Sequence, residues 1–263
     1  MFSSWKRRKK AAAMLAALRR LAYHRLRSPP LGPSLVMPTF KLISSATCPF
    51  VQRSAITLEH KRVPYEIEFI DLTAKPQWFL EISPTGKVPV LLVRDGEREI
   101  ILFESAVINE YLDEITEGFL LPRDPLLRAR HRAMIEFASS AIADSWKMGV
   151  AESREEALVQ AAALQAKLAR FESEMVGPFF TGEELSLVDT AAIPLLLRTM
   201  WTIEPAPELG VFDGLPKVRA WYDKAIELEA VQRSAVPNVR ELYREYLAKR
   251  GGSWVGSLIA AAA

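Results

Sequence analysis

The sequence predicts a two-part chain: a small α/β domain in the order βαβ, short helix, ββα, followed by an all-helical domain. Three observations carry this. Alternating and β-branched apolar runs are confined to residues 40–103, turn residues punctuate that stretch, and the periodic segments beyond residue 125 follow the helical repeat.

Phe40, Lys41, Leu42 and Ile43 form an apolar extended run that reads as a strand. Residues 49–61 follow as a helix opened by Pro49, whose missing N–H is harmless in a first turn, with Val51, Ala55 and Leu58 on one face. Residues 63–70 alternate apolar and polar, a second strand. A short helical piece over 75–80 ends at Ser83-Pro84-Thr85-Gly86. Residues 88–93, an Asp95-Gly96 turn and residues 99–103 read as a β-hairpin, and 105–115 closes the unit as a helix. Residues 122–125, Pro-Arg-Asp-Pro, form a linker. Beyond it 126–148, 154–175, 188–201, 215–230 and 238–249 read as helices. Ser186 followed by Asp189 is a capping-type box at the head of a strongly apolar segment, with a structural role. The division is a basic extension over 1–36, domains over 37–117 and 126–250, and a tail over 251–263.

Composition narrows the functional classes. A hydrophobic fraction of 49% and a charged fraction of 25% are those of an ordinary globular protein, and no stretch of the body has transmembrane length. One cysteine cannot form an internal disulfide, so the expected setting is reducing and cytoplasmic. His24, His60 and His131 stand singly, without zinc-ligand spacing, and no metal is expected. Residues 1–36 hold nine Lys and Arg and no acid, so a net charge of +2 leaves the rest at −7. The body therefore has no electrostatic support for nucleic acid. Within the arm, residues 11–26 could form an amphipathic helix. Its readings are an organelle transit peptide, a membrane-surface helix, a disordered tail, or an overextended start ahead of Met37.

Cys48 lies where the first strand gives way to Pro49. A thiol there meets the positive end of a helix dipole and backbone N–H groups that lack intrahelical partners, which favour the thiolate. The plainer reading is a buried structural cysteine. Val88-Pro89 is the second feature: proline inside an apparent strand belongs at an edge or special turn, and with a cis bond Val88 would offer both backbone groups to an extended peptide. Glu104-Ser105 is the third. Ser105 at a helix start could hold a carboxylate and Glu104 an ammonium group, although a Ser in this position is commonly a plain cap. Lys75 is either a solvated lysine or a partner for a second carboxylate. Together these groups suit a small, zwitterionic, thiol-bearing peptide.

In this order, Cys48-Pro49-Phe50-Val51-Gln52-Arg53, Lys75-Pro76-Gln77-Trp78-Phe79, Gly86-Lys87-Val88-Pro89-Val90-Leu91 and Glu104-Ser105-Ala106-Val107-Ile108 resemble the glutathione S-transferase superfamily, in its cysteine-containing omega-like branch. The resemblance spans about residues 38–250. It implies a thioredoxin-like N-terminal domain, an all-helical C-terminal domain, glutathione as cosubstrate and a homodimer. It maps the catalytic thiol onto Cys48 and glutathione contacts onto Phe50, Lys75, Val88, Pro89, Glu104 and Ser105. The box at Ser186 and Asp189 matches the family's capping motif.

Val51 occupies the place of the second cysteine of a dithiol motif, so a monothiol exchange is expected, and the resemblance implies a glutathione-dependent thiol transferase or reductase, of thioltransferase or dehydroascorbate reductase type, acting on small disulfides, dehydroascorbate-like oxidants or aromatic thioethers. Conjugation with a glutathione thiol activated by Ser44, Ser45 or Thr47 is the alternative, and a non-catalytic, chloride-channel-like interaction module is a third class. The electrophile is expected against the helical half, with Trp146, Arg198, Thr199, Trp201 and Trp221 as wall residues, though aromatics at helical spacing are commonly core. Arg198 is unusual in so apolar a run, and could reach a carboxylate or the interdomain cleft.

Overall fold

A computed structural model describes residues 37–262; the basic arm, with its predicted helix over 11–26, lies outside them. The N-terminal elements are β1 (Thr39–Ser44), α1 (Pro49–His60), β2 (Glu66–Phe69), α2 (Gln77–Ile82), β3 (Val90–Asp95), β4 (Arg98–Phe103) and α3 (Ser105–Glu114). They form a four-stranded sheet in the order β2-β1-β3-β4. β1 runs parallel to β2, with Leu42 opposite Ile67, and antiparallel to β3, with Leu42 opposite Leu91. A parallel pair needs a crossover, and α1 supplies it. The predicted face of α1, Val51, Ala55 and Leu58, is buried with Leu42, Ile43, Val90 and Leu91 of the sheet and Ile108 and Leu112 of α3. This is the thioredoxin-like arrangement. β2 is shorter than the alternation over 63–70 suggests, and it is an edge strand with little buried surface.

The helical half comprises α4 (Pro125–Val150), α5 (Arg154–Glu174), α6 (Leu187–Ile203), a 3-10 turn (Pro207–Leu209), α7 (Pro216–Ala225), α8 (Glu229–Arg233), α9 (Val239–Lys249) and α10 (Trp254–Ala261). α6 is apolar all round and buried along nearly its whole length, as a central helix must be, and it packs on α1, α4, α7 and α9. Its start carries the predicted box. Asp189 accepts from the Ser186 backbone N–H at 2.7 Å, the Ser186 hydroxyl at 2.6 Å and the Phe180 N–H at 2.8 Å.

Two sequence expectations change here. The single helix over 215–230 is two helices, because the chain turns through residues 226–228, where the Gln232 side chain caps the Ile226 carbonyl. The tail over 251–263 contains α10, which is docked rather than free. Val255, Gly256 and Ile259 are buried, Trp254 N–H donates to Ala151 O at 2.8 Å, and Ser253 Oγ donates to Gly149 O at 2.8 Å.

Residues 39–94 and 98–262 belong to one compact unit. Two buried cations tie its elements together. Arg53 on α1 donates from Nε to Ala191 O and from Nη1 to Ser139 Oγ, both at 2.8 Å. Lys61, just past α1, pairs with Asp113 of α3 at 2.8 Å with both side chains almost wholly buried, and Asp113 also accepts from Leu120 and Leu121 N–H.

Candidate active site

Cys48 is the N-cap residue of α1, in extended conformation, with Pro49 as the first helical residue. Its N–H donates to Ser45 O at 3.0 Å and its carbonyl accepts from Gln52 N–H at 3.2 Å, which fixes the turn that presents the thiol. The thiol is half-buried and opens into a cavity of about 750 Å³. Ser45, Thr47 and Phe50 line it beside the thiol, with Phe69 at the end of β2, Ile70 and Leu72 after it, Ile142 and Trp146 on α4, Pro194 and Arg198 on α6, and Tyr243 and Tyr246 on α9. The surface is mostly apolar, with Arg198 a cation within it.

The electrostatics at the thiol differ from the sequence expectation in their balance. Burial pushes the Cys48 thiol up. The backbone N–H groups of Val51 and Phe50 and the charges of Arg198 and Arg53 pull it down and are all present, but they do not outweigh desolvation. The helix start acts in the expected direction; local sequence gives no measure of the apolar walls brought in from α4, α6 and α9.

Val88-Pro89 is a cis peptide, and both residues are buried. Among the described residues neither the N–H nor the carbonyl of Val88 has a hydrogen-bond partner. The preceding turn is pinned by Ser83, whose hydroxyl donates to Lys87 O at 2.9 Å and accepts from Lys87 N–H at 3.1 Å. Lys75 is exposed, and its Nζ lies 3.9 Å from where a Cβ at Gly86 would stand, so it reaches over the same turn. Glu104 is the exposed N-cap of α3 at φ 69°, ψ 116°, a conformation that costs a non-glycine residue about 1–3 kcal/mol. Ser105 follows as the first, buried residue of α3, and its hydroxyl has no partner among the described residues. Unpaired backbone, a free hydroxyl and a strained acid are what a seat for an extended zwitterionic peptide needs.

The predicted electrophile wall divides. Trp146, 42% exposed, and Arg198 line the cavity. Trp201 does not: it is buried behind Arg198, whose guanidinium lies 4.9 Å from its ring centre, and it packs against Tyr243. Thr199 is buried and hydrogen-bonded to Ser145 at 3.0 Å, and Trp221 is sealed in the helical core against Phe171. Sequence reasoning missed Phe69, Leu72, Tyr243 and Tyr246. The two tyrosines had a signal, since a spacing of three puts them on one helix face.

The family model described as Glutathione S-transferase, N-terminal domain matches residues 47–115, and the one described as Glutathione S-transferase, C-terminal domain matches residues 110–224. The chain belongs to the glutathione S-transferase family. It is 31% identical over 185 residues to the chloroplastic glutathione S-transferase DHAR3 of Arabidopsis thaliana, covering 70% of this chain and 67% of that one. It is 30% identical over 227 residues to glutathione S-transferase omega-1 of Mus musculus, covering 84% of this chain and 89% of the relative. The crystal structure of glutathione transferase Omega 3C from Trametes versicolor superposes with a TM-score of 0.64 at 28% identity, covering 74% of this chain and 88% of that one.

Proposed function

We propose that this glutathione S-transferase is a glutathione-dependent thiol transferase or reductase in which Cys48 is the sole nucleophile. The observation that carries the reading is the seat of Cys48: a thiol on the N-cap residue of α1, opening into a largely apolar cavity of about 750 Å³, in a sequence with no second cysteine. The Cys48 thiolate attacks the glutathione sulfur of a mixed disulfide, forming a Cys48–glutathione disulfide and expelling the substrate thiolate, which takes up a proton. A second glutathione thiolate attacks the bound glutathione sulfur, releasing glutathione disulfide and restoring Cys48. The net exchange converts one mixed disulfide and one glutathione into one thiol and glutathione disulfide. With Val51 at the position of a resolving cysteine, the second glutathione must do the resolving.

In this reading the tripeptide lies along Val88, whose free N–H and carbonyl pair with it as a strand would, with the Ser105 hydroxyl and α3 N-terminus on a carboxylate, Glu104 on the ammonium group and Lys75 on the second carboxylate. Phe50 and Pro89 shape the pocket. The exposed apolar residues Ile100, Phe103 and Val107 on β4 and α3 fit burial against a second copy of the chain.

One observation favours conjugation as a second reading: Ser45 and Thr47 line the cavity beside Cys48, close enough in the chain to support a glutathione thiolate. The experiment compares glutathione-dependent reduction of a glutathionylated small thiol with conjugation to an aromatic halide, for the native protein and Cys48→Ser. Loss of reduction in the variant is expected. Reduction at the native rate would overturn the monothiol mechanism.

A further inference from the structure

Arg198 is 4% exposed, and its guanidinium is held only by neutral oxygens: Nη1 donates to the side-chain carbonyl of Gln52 and Nη2 to the backbone carbonyl of Thr47 at 3.2 Å. Its Nε is buried without a partner. No carboxylate stands among the charges that act on it; the groups that do are Tyr243 and Cys48. A buried cation without a carboxylate carries a desolvation cost that hydrogen bonds to amides only partly offset. Both of its acceptors belong to the segment that presents the thiol, Thr47 immediately before Cys48 and Gln52 in the first turn of α1. The Gln52 amide is held from its other side, where Nε2 donates to Ser234 Oγ at 3.0 Å.

We propose that Arg198 is a positioning residue for the nucleophile: from α6 it supplies the buried positive charge against which the Cys48 thiolate is held. The inference rests on Cys48 being the nucleophile and goes beyond that reading, because it makes the helical half of the chain a determinant of thiol reactivity. The other ionisable groups facing the thiol fit this division. Arg53 on α1 is a second buried cation, but Ala191, Ser139 and the more distant Glu136 engage it, and its guanidinium lies over the ring of Phe50, 4.9 Å from ring centre to Cζ, outside the cavity lining. Asp71, at the cavity wall after β2, is occupied by Thr73 in a local turn. Tyr243 on α9 is hydrogen-bonded to Thr202 and stays protonated, since burial pushes its hydroxyl up. Among the described residues that line the cavity, Arg198 is therefore the cation, and no acid engages it.

The test reads the thiol itself and needs no catalytic turnover. With one cysteine in the sequence, thiolate absorbance and iodoacetamide alkylation as functions of pH report Cys48 alone. In Arg198→Met the titration midpoint should rise by about one pH unit and alkylation at pH 7 should slow about tenfold. Arg198→Lys should restore most of the native rate, because the charge is retained. An unchanged midpoint in the folded Met variant, or an equal rise in the Lys and Met variants, would overturn the proposal. If Arg198→Met loses its native circular dichroism, Arg198→Gln is read by the same criteria. Failure of disulfide reduction would sink the proposed function and leave this titration unaffected.

Discussion

Arg53 Nε donates to the carbonyl oxygen of Ala191 at 2.8 Å, so the helix that begins at the thiol is fastened to the most deeply buried helix of the chain. The side chain is 1% exposed and a second arm reaches Ser139 on α4. One guanidinium thus registers α1 against α4 and α6, two of the three helices that wall the cavity. Arg53→Met leaves the Ala191 carbonyl without its side-chain donor and should lower stability in urea by about 2 kcal/mol. Arg53→Lys should not rescue it, since a single ammonium cannot span the two acceptors that a planar fork reaches. Equal stability of the native and Met proteins would show that the packing of α1 on α6, not this contact, sets the registration.

Glu104 holds φ 69° at the start of α3, where a side chain is a burden unless it serves a ligand. Glycine removes the steric penalty of that conformation. Glu104→Gly should therefore raise the thermal midpoint, by an amount corresponding to about 1 kcal/mol, while raising KM for glutathione. The two measurements moving in opposite senses distinguish a binding acid from a merely tolerated one. A midpoint that falls, with KM unchanged, would assign Glu104 a structural role instead.

Local features of the site were legible in the sequence. The N-cap position of Cys48 follows from an apolar run meeting Pro49, and the special turn at Val88-Pro89 was flagged by the restricted backbone of proline, whereas the cap of α3, read at Ser105, lies one residue earlier at Glu104. The far wall was not legible. Tyr243 and Tyr246 are nearly two hundred residues from Cys48, and their spacing named a face without naming what it looks upon. Trp201 shows the limit from the other side: an aromatic three residues from Arg198 was expected in the cavity, but it packs behind the guanidinium. The break at 226–228 carries no glycine or proline, and α10 begins after Gly251-Gly252, where small residues conceal a short helix that packs on α4, α5 and α9.

Asp189 links the cap of α6 to pH. Burial pushes its carboxyl up to about 6, against the opposing hydrogen bonds from Ser186 and Phe180. In the unfolded chain an aspartate titrates near ~4. Between those values the folded protein binds a proton that the unfolded chain has released. The stability this group contributes is therefore complete below about pH 4 and is lost as pH rises through about 6. Urea midpoints measured from pH 4.5 to 6.5 should fall less steeply in Asp189→Asn, which keeps an acceptor but does not titrate. Parallel curves for the two proteins would place the pH dependence elsewhere.

Gly256 tests whether the docked C-terminal helix supports the cavity. A Cβ there would strike the backbone carbonyl oxygen of Leu247 and stand 3.0 Å from the carbonyl carbon, so the relief has to come from α9 or α10 moving. α9 carries Tyr243 and Tyr246, and its Leu247 is buried between α10 and Gly149 of α4. Gly256→Ala should cost about 2 kcal/mol, in the range of overpacked cores, and should open a protease site around residues 250–253 where the native chain resists cleavage. If α10 supports the cavity wall through α9, KM for the disulfide substrate rises in the same variant while KM for glutathione, whose proposed seat is Val88 and the start of α3, does not. Cleavage without any change in KM would make α10 a covering of the helical core with no part in shaping the site.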